Sequence, residues 1–243
     1  VLRPRFYTSA SLQTETAIRL EKEPSRHIAK ALRMRPGDAL CLFDGEGREG
    51  HGAVEEIERN TVSIKLHSVA DKDRESPLRI SLAIALSRGD RMDTVIQKAT
   101  ELGVGRIQPL ISERTGVRLD EERLAKKHRH WEKIAISACE QCGRNRLPQI
   151  EAPTSFTDVL AHAGTENTLR LVLDPQIGEH SLPAGCESVV LLVGPEGGFS
   201  DTEIQAAKTA GFQGLQLGPR VLRTETAPLA AIAVAQARWG DFT

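Results

Sequence analysis

The stretch "LLVGPEGGFSDTE", Leu191 to Glu203, runs from an apolar strand through a glycine-rich turn into the start of a helix. Gly194, Pro195, Glu196, Gly197 and Gly198 form the turn, and Phe199 and Ser200 follow it. A phosphate loop of the G-x-x-x-x-G-K-[ST] type needs a lysine there to neutralise phosphate charge, and none is present. The dinucleotide fingerprint G-x-G-x-x-G is also absent, and Glu196 would repel a pyrophosphate. A nucleophile elbow would carry serine at the turn centre, where Glu196 stands. The turn suits a ligand that approaches the backbone closely without being strongly anionic. Ser200 and Glu203 stand in capping-box register, which predicts a helix beginning at about Asp201.

One helix and one strand later comes "LGPRVLRTETAPLA", Leu217 to Ala230, with Gly218-Pro219, Arg220, Arg223 and Glu225 between two threonines. Two Gly-Pro turns at the carboxyl ends of neighbouring strands can form one crevice, which is where open α/β sheets bind ligands. The plainer alternative is two tight turns held by ion pairs.

Working outward, "LRISLAIAL" (78–86) is a nearly continuous apolar run, as expected of a strand covered on both faces. "DRMDTVIQKATELG" places Met92, Val95, Ile96, Ala99 and Leu102 at helical spacing and stops at Gly103. "RIQPLI", a long basic helix through Trp131, "TLRLVLD", "SVVLLVG", "GLQLG" and a last helix with Pro228 in its first turn complete the alternation. Repeated strand and helix predict an α/β domain with a mostly parallel sheet. The first part reads differently. "DALCLFDGEGREGHGAVEEI" gives strand, turn and return strand, and "NTVSIKLHSV" alternates Val62, Ile64 and Leu66. "EPSRHIAKALRMRPGD" reads as a short helix closed by Pro36 and Gly37. The polar stretch His67 to Pro77 has no apolar periodicity and marks the boundary, giving domains over 1–72 and 73–243.

Composition is that of an ordinary globular protein, 40% hydrophobic and 27% charged, with no apolar run long enough for a membrane span. No signal-like region opens the chain, Val1 reads as a processed or trimmed start, and the expected compartment is cytoplasmic. Four cysteines are too few and too scattered for a disulfide framework. Cys139 and Cys142 form a C-x-x-C near His128 and His130, but no second pair completes four ligands, so no metal is expected. His27, His51, His67 and His180 show no partner pattern. The net charge of −1 argues against a generic nucleic-acid binder, yet residues 1–35 carry eight Lys/Arg against three Glu, 8 − 3 = +5. Such a local excess can track a phosphate backbone, or can be a solvated face. With aromatics at only 4%, base stacking along an aromatic platform is not expected.

The two glycine stretches, with "GDRMDTVIQKATELGVGRIQPLISERT", "ACEQCGRNRLP", "RPRFY" and "HIAKALRMRPGDALCLFDGEG", resemble the 16S ribosomal RNA (uracil-N3)-methyltransferases over nearly the whole chain. The resemblance implies a PUA-like β-barrel for RNA binding, followed by a SPOUT-class methyltransferase domain with a trefoil knot. It also implies a homodimer, S-adenosylmethionine as cofactor, and 16S ribosomal RNA, within the small ribosomal subunit, as substrate. Carried over residue by residue, the cofactor-binding set is Leu171, Leu173, Val193, Gly194, Pro195, Glu196, Gly197 and Gly198 in the first region. In the second it is Leu217, Gly218, Val221, Leu222, Arg223, Thr224, Glu225, Thr226 and Ala227. The cofactor has no phosphate, so a turn without lysine fits it, and bare glycine backbone can read the adenine edge. Gly116 stands where a branched apolar residue is expected, and Ser87 precedes Arg88 where a lysine is common.

Uracil N3 carries a weakly acidic imide proton, so methyl transfer needs help in removing it and a cation for the charge left on O2 and O4. Glu196 and Glu225 are candidate bases, and Arg220 and Arg223 candidate anion stabilisers, although each glutamate could instead order its own loop. Arg3, Arg5, Arg26, Lys30, Arg33, Arg88, Arg91 and Arg144 are candidate RNA-phosphate contacts. The rival readings are a relative of the same fold acting on another RNA position, and a non-catalytic RNA-binding protein.

Overall fold

The computed structural model describes residues 3–59, 61–116, 120–164, 167–174 and 182–242; His180 lies outside them. The chain divides into two compact units, Val1–Glu75 with Ile136–Leu147, and Ser76–Ala135 with Pro148–Thr243.

In the first unit the elements are β1 (Arg5–Tyr7), β2 (Ala17–Arg19), α1 (Lys22–Arg26), β3 (Ala39–Phe43), β4 (Arg48–Glu58) and β5 (Thr61–Asp71). Directly after α1 the chain makes a π-helical turn over His27–Ala31. The strands form one sheet in the order β1-β3-β4-β5-β2, antiparallel except for β1 beside β3. Val62, Ile64 and Leu66 point inward at strand spacing and pack with Phe6, Ile28 and Leu42. One expectation needs correction: His67 to Asp71 read as polar linker but continue β5, with Ser68 opposite His51 and Asp71 opposite Arg48. Main-chain pairing with β4 satisfies the backbone there whatever the side chains, which mostly face solvent.

The carboxylate of Glu49, with a side chain only 2% exposed, organises this unit. Arg5 Nη1 lies 3.0 Å away, Arg74 Nη1 2.9 Å and Lys72 Nζ 3.1 Å. Asn145 Nδ2 donates to the same carboxylate at 3.2 Å, while Asn145 Oδ1 accepts from Arg5 Nη2 at 2.6 Å. Arg74 also donates to the Gly143 carbonyl at 2.7 Å. Arg144 pairs through Nε and Nη2 with both oxygens of Glu75 and is buried. Arg5 and Arg144 are thus withdrawn from the proposed set of RNA contacts, because their guanidinium groups are committed to internal ion pairs. A buried carboxylate demands such partners.

The second unit contains β6 (Arg79–Ala85), α2 (Arg91–Glu101), β7 (Arg106–Ile111), α3 (Glu121–Cys142), β8 (Gln149–Ile150) and β9 (Thr154–Ser155). Then come α4 (Phe156–Ala161), β10 (Leu169–Leu173), β11 (Ser188–Val193), α5 (Asp201–Thr209), β12 (Gln213–Leu215) and α6 (Thr226–Trp239). Residues of α3 from Ile136 onward belong to the first unit. The sheet order is β12-β10-β11-β6-β7-β8, with β9 also on β7, and every pairing is parallel. The expectation of an α/β fold with a mostly parallel sheet therefore holds. Ile80, Leu82 and Ile84 of β6 face a core shared with Val95 and Ile96 of α2 and Ile232 of α6. Ala83 and Ala85 face the opposite core with Phe156 and Phe199. Burial on both faces explains the continuous apolar run. Among the described residues no helix is long and apolar enough to cross a membrane.

Burial alone would raise the Glu49 pKa, but hydrogen bonds from Arg74, Arg5, Lys72 and Asn145 outweigh it and hold the carboxyl at about 2, against an ordinary 4.5. A folded value below the unfolded one means that the carboxylate's stabilisation is present above about pH 4.5 and is lost as pH falls toward 2. Replacing Glu49 by Gln should lower the unfolding free energy by about 3 kcal/mol at neutral pH and flatten this acid limb. Urea unfolding across the acid range checks both effects; an unchanged acid limb would contradict the account.

Candidate functional site

Three strand ends lie level in the second unit: Leu173 pairs with Val193 on one side and Leu215 on the other. Parallel pairing sends the segments after β10, β11 and β12 out on the same edge of the sheet, where crevices form in such folds. Between them lies a cavity of about 470 Å³, within the range of small-molecule sites.

The wall after β11 is the first glycine turn. Gly198 N–H donates to the Pro195 carbonyl at 2.9 Å, and Gly198 has a φ of 68°, a left-handed conformation that favours glycine. A Cβ on Gly194 would lie 3.2 Å from Phe199 N and 3.3 Å from the Gly198 carbonyl carbon, so a side chain there would press on the backbone of the turn itself. The helix after the turn starts as expected: Ser200 N–H donates to Glu203 Oε2 at 2.9 Å and Glu203 N–H donates to Ser200 Oγ at 3.3 Å. Glu203 also accepts from the Glu113 N–H at 2.8 Å, and Arg114 Nη1 donates to the Gly197 and Phe199 carbonyls at 3.0 and 3.2 Å. The segment following β7 thereby supports the turn from outside.

The other wall is the second glycine turn. Gly218 has a φ of 74°, and the N–H groups of Thr226 and Ala227 donate to the Arg223 carbonyl, each at 2.9 Å, as α6 begins. Apolar lining comes from Leu173, Val193, Leu215, Leu217, Leu222 and Ala227, and charge from Arg114, Asp174, Glu196, Asp201 and Arg220.

Most of the expected cofactor set meets in this cavity: Leu173, Val193, the turn Gly194 to Gly198, Leu217, Gly218, Val221, Leu222, Thr224 and Ala227 all line it. Leu171 does not; it is 1% exposed within the sheet core. Arg223, Glu225 and Thr226 also stand off the lining. Sequence reasoning missed Arg114, Asp174, Phe199, Asp201, Ile204, Leu215 and Gln216. Asp201 and Ile204 were signalled by the helix start directly after the glycine turn, whereas nothing local marks Arg114.

The four charged residues nominated for chemistry do not form one group. Arg91, the first residue of α2, pairs through Nη1 with Glu196 Oε1 and places Nε 3.7 Å from Glu225 Oε2. Glu225 is also 3.9 Å from Arg223 Nη1. Burial pushes the Glu196 pKa up, but hydrogen bonds from its own backbone N–H, Arg91 and the Arg88 N–H prevail and leave it below the ordinary carboxylate range. Arg220 lines the cavity with no ion-pair partner among the described residues. Arg88 donates through Nε and Nη2 to the Gly116 carbonyl at 3.1 and 3.0 Å. A Cβ on Gly116 would sit 2.9 Å from Arg88 Nε, so the glycine found where a branched residue was expected makes room for that guanidinium. Arg88 and Arg91 are thus engaged beside the cavity, whereas Arg3, Arg26, Lys30 and Arg33 are exposed in the first unit. Cys139 is buried and Cys142 exposed; their mutual hydrogen bond, with burial, pushes the Cys139 thiol up. No cluster of three metal-ligating side chains occurs among the described residues.

A profile of the RNA methyltransferase domain matches residues 74–236, and one of the RNA methyltransferase PUA domain matches residues 20–66. The ribosomal RNA small subunit methyltransferase E of Buchnera aphidicola subsp. Schizaphis graminum is 38% identical, over 99% of this chain and 98% of its own length. The structure of a ribosomal RNA small subunit methyltransferase E from Neisseria gonorrhoeae bound to S-adenosyl methionine superposes with a TM-score of 0.92. It is 40% identical, over 99% of this chain and 100% of that one. A chain from Legionella pneumophila, solved in complex with the cofactor SAM, matches with a TM-score of 0.96 at 42% identity over the whole of both chains. With a domain profile spanning more than half of its length and full-length relatives above 30% identity, this chain belongs to the ribosomal RNA small subunit methyltransferase E family.

Proposed function

We propose that the protein transfers a methyl group from S-adenosylmethionine to N3 of a uridine in 16S ribosomal RNA, with the cofactor held in the cavity at the tips of β10, β11 and β12. The observation that carries this reading is the pair of bare-backbone turns facing one another across an apolar floor, in a chain of this family. The donor set suits that cofactor. The apolar side chains can take a flat adenine, exposed main-chain groups of the glycine turns can pair with its edge, and Asp174 and Asp201 suit hydroxyl and ammonium groups. A phosphate-bearing cofactor would meet three carboxylates in the same lining, Asp174, Glu196 and Asp201, against two arginines, Arg114 and Arg220, of which Arg114 already donates to the Gly197 and Phe199 carbonyls.

When bound, S-adenosylmethionine supplies an electrophilic methyl group on a sulfonium centre. The protein's own residues must orient the uracil, hold its N3 in line and take its proton. Glu196, held below the ordinary carboxylate range by its own backbone N–H and by Arg91, orders the first turn. Glu225, held at the longer distances of 3.7 and 3.9 Å, receives the imide proton. Arg220 stabilises the negative charge that deprotonation leaves on the uracil oxygens, assisted by Arg223. Arg26, Lys30 and Arg33, exposed on and just after α1, contact RNA phosphates. Arg33 holds a φ of 51°, a strained conformation for a non-glycine residue of the kind found at functional segments. A homodimer is part of the proposal, supported by Val221, 83% exposed, and Val234, 42% exposed, near the cavity wall and on α6.

Incubating unmethylated small subunits with the protein and S-adenosylmethionine should yield N3-methyluridine by nucleoside mass spectrometry; its absence would overturn the assignment. The Gly194→Val variant should lose saturable cofactor binding in calorimetry while staying folded. Glu225→Gln should lower kcat by roughly 10²-fold to 10⁴-fold, with cofactor affinity changed only a few-fold. Unchanged turnover would remove Glu225 from the role of base. Replacing Arg26, Lys30 and Arg33 together by Gln should reduce the slope of log affinity against log salt by about 2 to 3; an unaltered slope would place the RNA elsewhere.

A further inference from the structure

A cation at the first position of a helix is electrostatically misplaced, because the helix N-terminus already carries partial positive charge. Arg91 occupies that position in α2. Its guanidinium is answered by two carboxylates from distant parts of the chain: Glu196 in the first glycine turn through Nη1, and Glu225 at the N-cap of α6 through Nε at 3.7 Å. The Arg88 N–H, just before α2, reaches Glu196 Oε1 at 3.4 Å as well. The segment between β6 and α2, the wall after β11 and the end of the wall after β12 therefore meet at one guanidinium. Among the described residues no hydrogen bond or ion pair joins either carboxylate to the opposite wall; each reaches Arg91.

We infer that Arg91 is a positioning residue that sets the spacing of the two glycine walls, and so makes cofactor affinity depend on a side chain outside the cavity lining. The inference rests on the reading that the cavity takes S-adenosylmethionine. Two carboxylates that share one guanidinium are close enough to repel once it is removed, and the repulsion acts on the two segments that enclose the ligand. The individual ion pairs are partly exposed and each is weak on its own. Their effect comes from joining two turns that leave the sheet on separate strands and meet at this guanidinium. A role of this kind differs from phosphate contact, which would alter RNA affinity and leave the cofactor untouched. It also differs from a proton-transfer role, which would alter kcat and leave cofactor affinity untouched.

The test is cofactor calorimetry without RNA. The full chain carries Arg91→Ala, Arg91→Lys, or Arg91→Ala combined with Glu196→Gln and Glu225→Gln, and folding is checked by circular dichroism. Arg91→Ala should weaken S-adenosylmethionine binding about tenfold or more, a typical coupling for groups in one charge network. Arg91→Lys should recover part of the loss. The triple variant should also bind more tightly than Arg91→Ala, because the unpaired carboxylates are gone. Raising salt should narrow the gap between Arg91→Ala and the unaltered protein. An Arg91→Ala affinity equal to that of the unaltered protein would overturn the inference while leaving the cofactor assignment standing. So would a triple variant no better than the single one, which would mark Arg91 as a local packing residue. Failure of the unaltered protein to bind the cofactor would overturn both.

Discussion

Everything at the candidate site depends on the parallel alignment of β10 with β11 and β12. Because Leu173 stands level with Val193 and Leu215, three segments that are far apart in the chain leave the sheet at the same height and on the same edge. The hydrogen-bond ladder fixes this alignment with no help from the ligand. The glycine turns contribute shape, but the register decides that two of them face one another. Burial of both sheet faces in turn holds the register, since a slip by one residue would exchange the side chains of the two cores.

Charge is the second organising theme, and two clusters of it tie segments of the fold together. In the first unit a single carboxylate gathers Arg5, Lys72 and Arg74. In the second, Arg91 gathers Glu196 and Glu225. The same kind of cluster does different work in the two places. The Glu49 carboxylate itself is shielded from water, so it requires its partners. Around Arg91 the pairs are partly exposed and join segments from two turns.

The sequence made the elements legible wherever the physical cause is local. The apolar run of β6, the helical spacing of α2, the Ser200/Glu203 cap and the Gly-Pro turns were each readable from a few neighbouring residues, and the structure has them there. Two-residue strands such as β8 and β9 were not readable, because so short a segment carries no periodicity. The roles of Arg5, Arg144 and Arg91 were unreadable for another reason. An arginine's partner is chosen by tertiary proximity, and a basic stretch looks alike whether its charges face an RNA backbone or a buried glutamate. Arg114 was hidden in the same way, since its acceptors are backbone carbonyls more than eighty positions on. The glycine at 116 departs from the family pattern, but its use, space for Arg88, is visible only in three dimensions.

The helix α3 starts among the residues of one unit and finishes among those of the other, and Gly143 to Asn145 then supply acceptors and a donor to the Arg5, Arg74 and Glu49 group. The part of the chain that contains the PUA domain is therefore not a detachable N-terminal module. Cutting after Glu75 would strip Glu49 of Asn145 and leave the Glu75 carboxylate without Arg144, and the released piece would carry a half-dismantled polar centre. Any fusion or domain exchange made with this chain has to carry the dozen residues Ile136–Leu147 along with the first seventy-five.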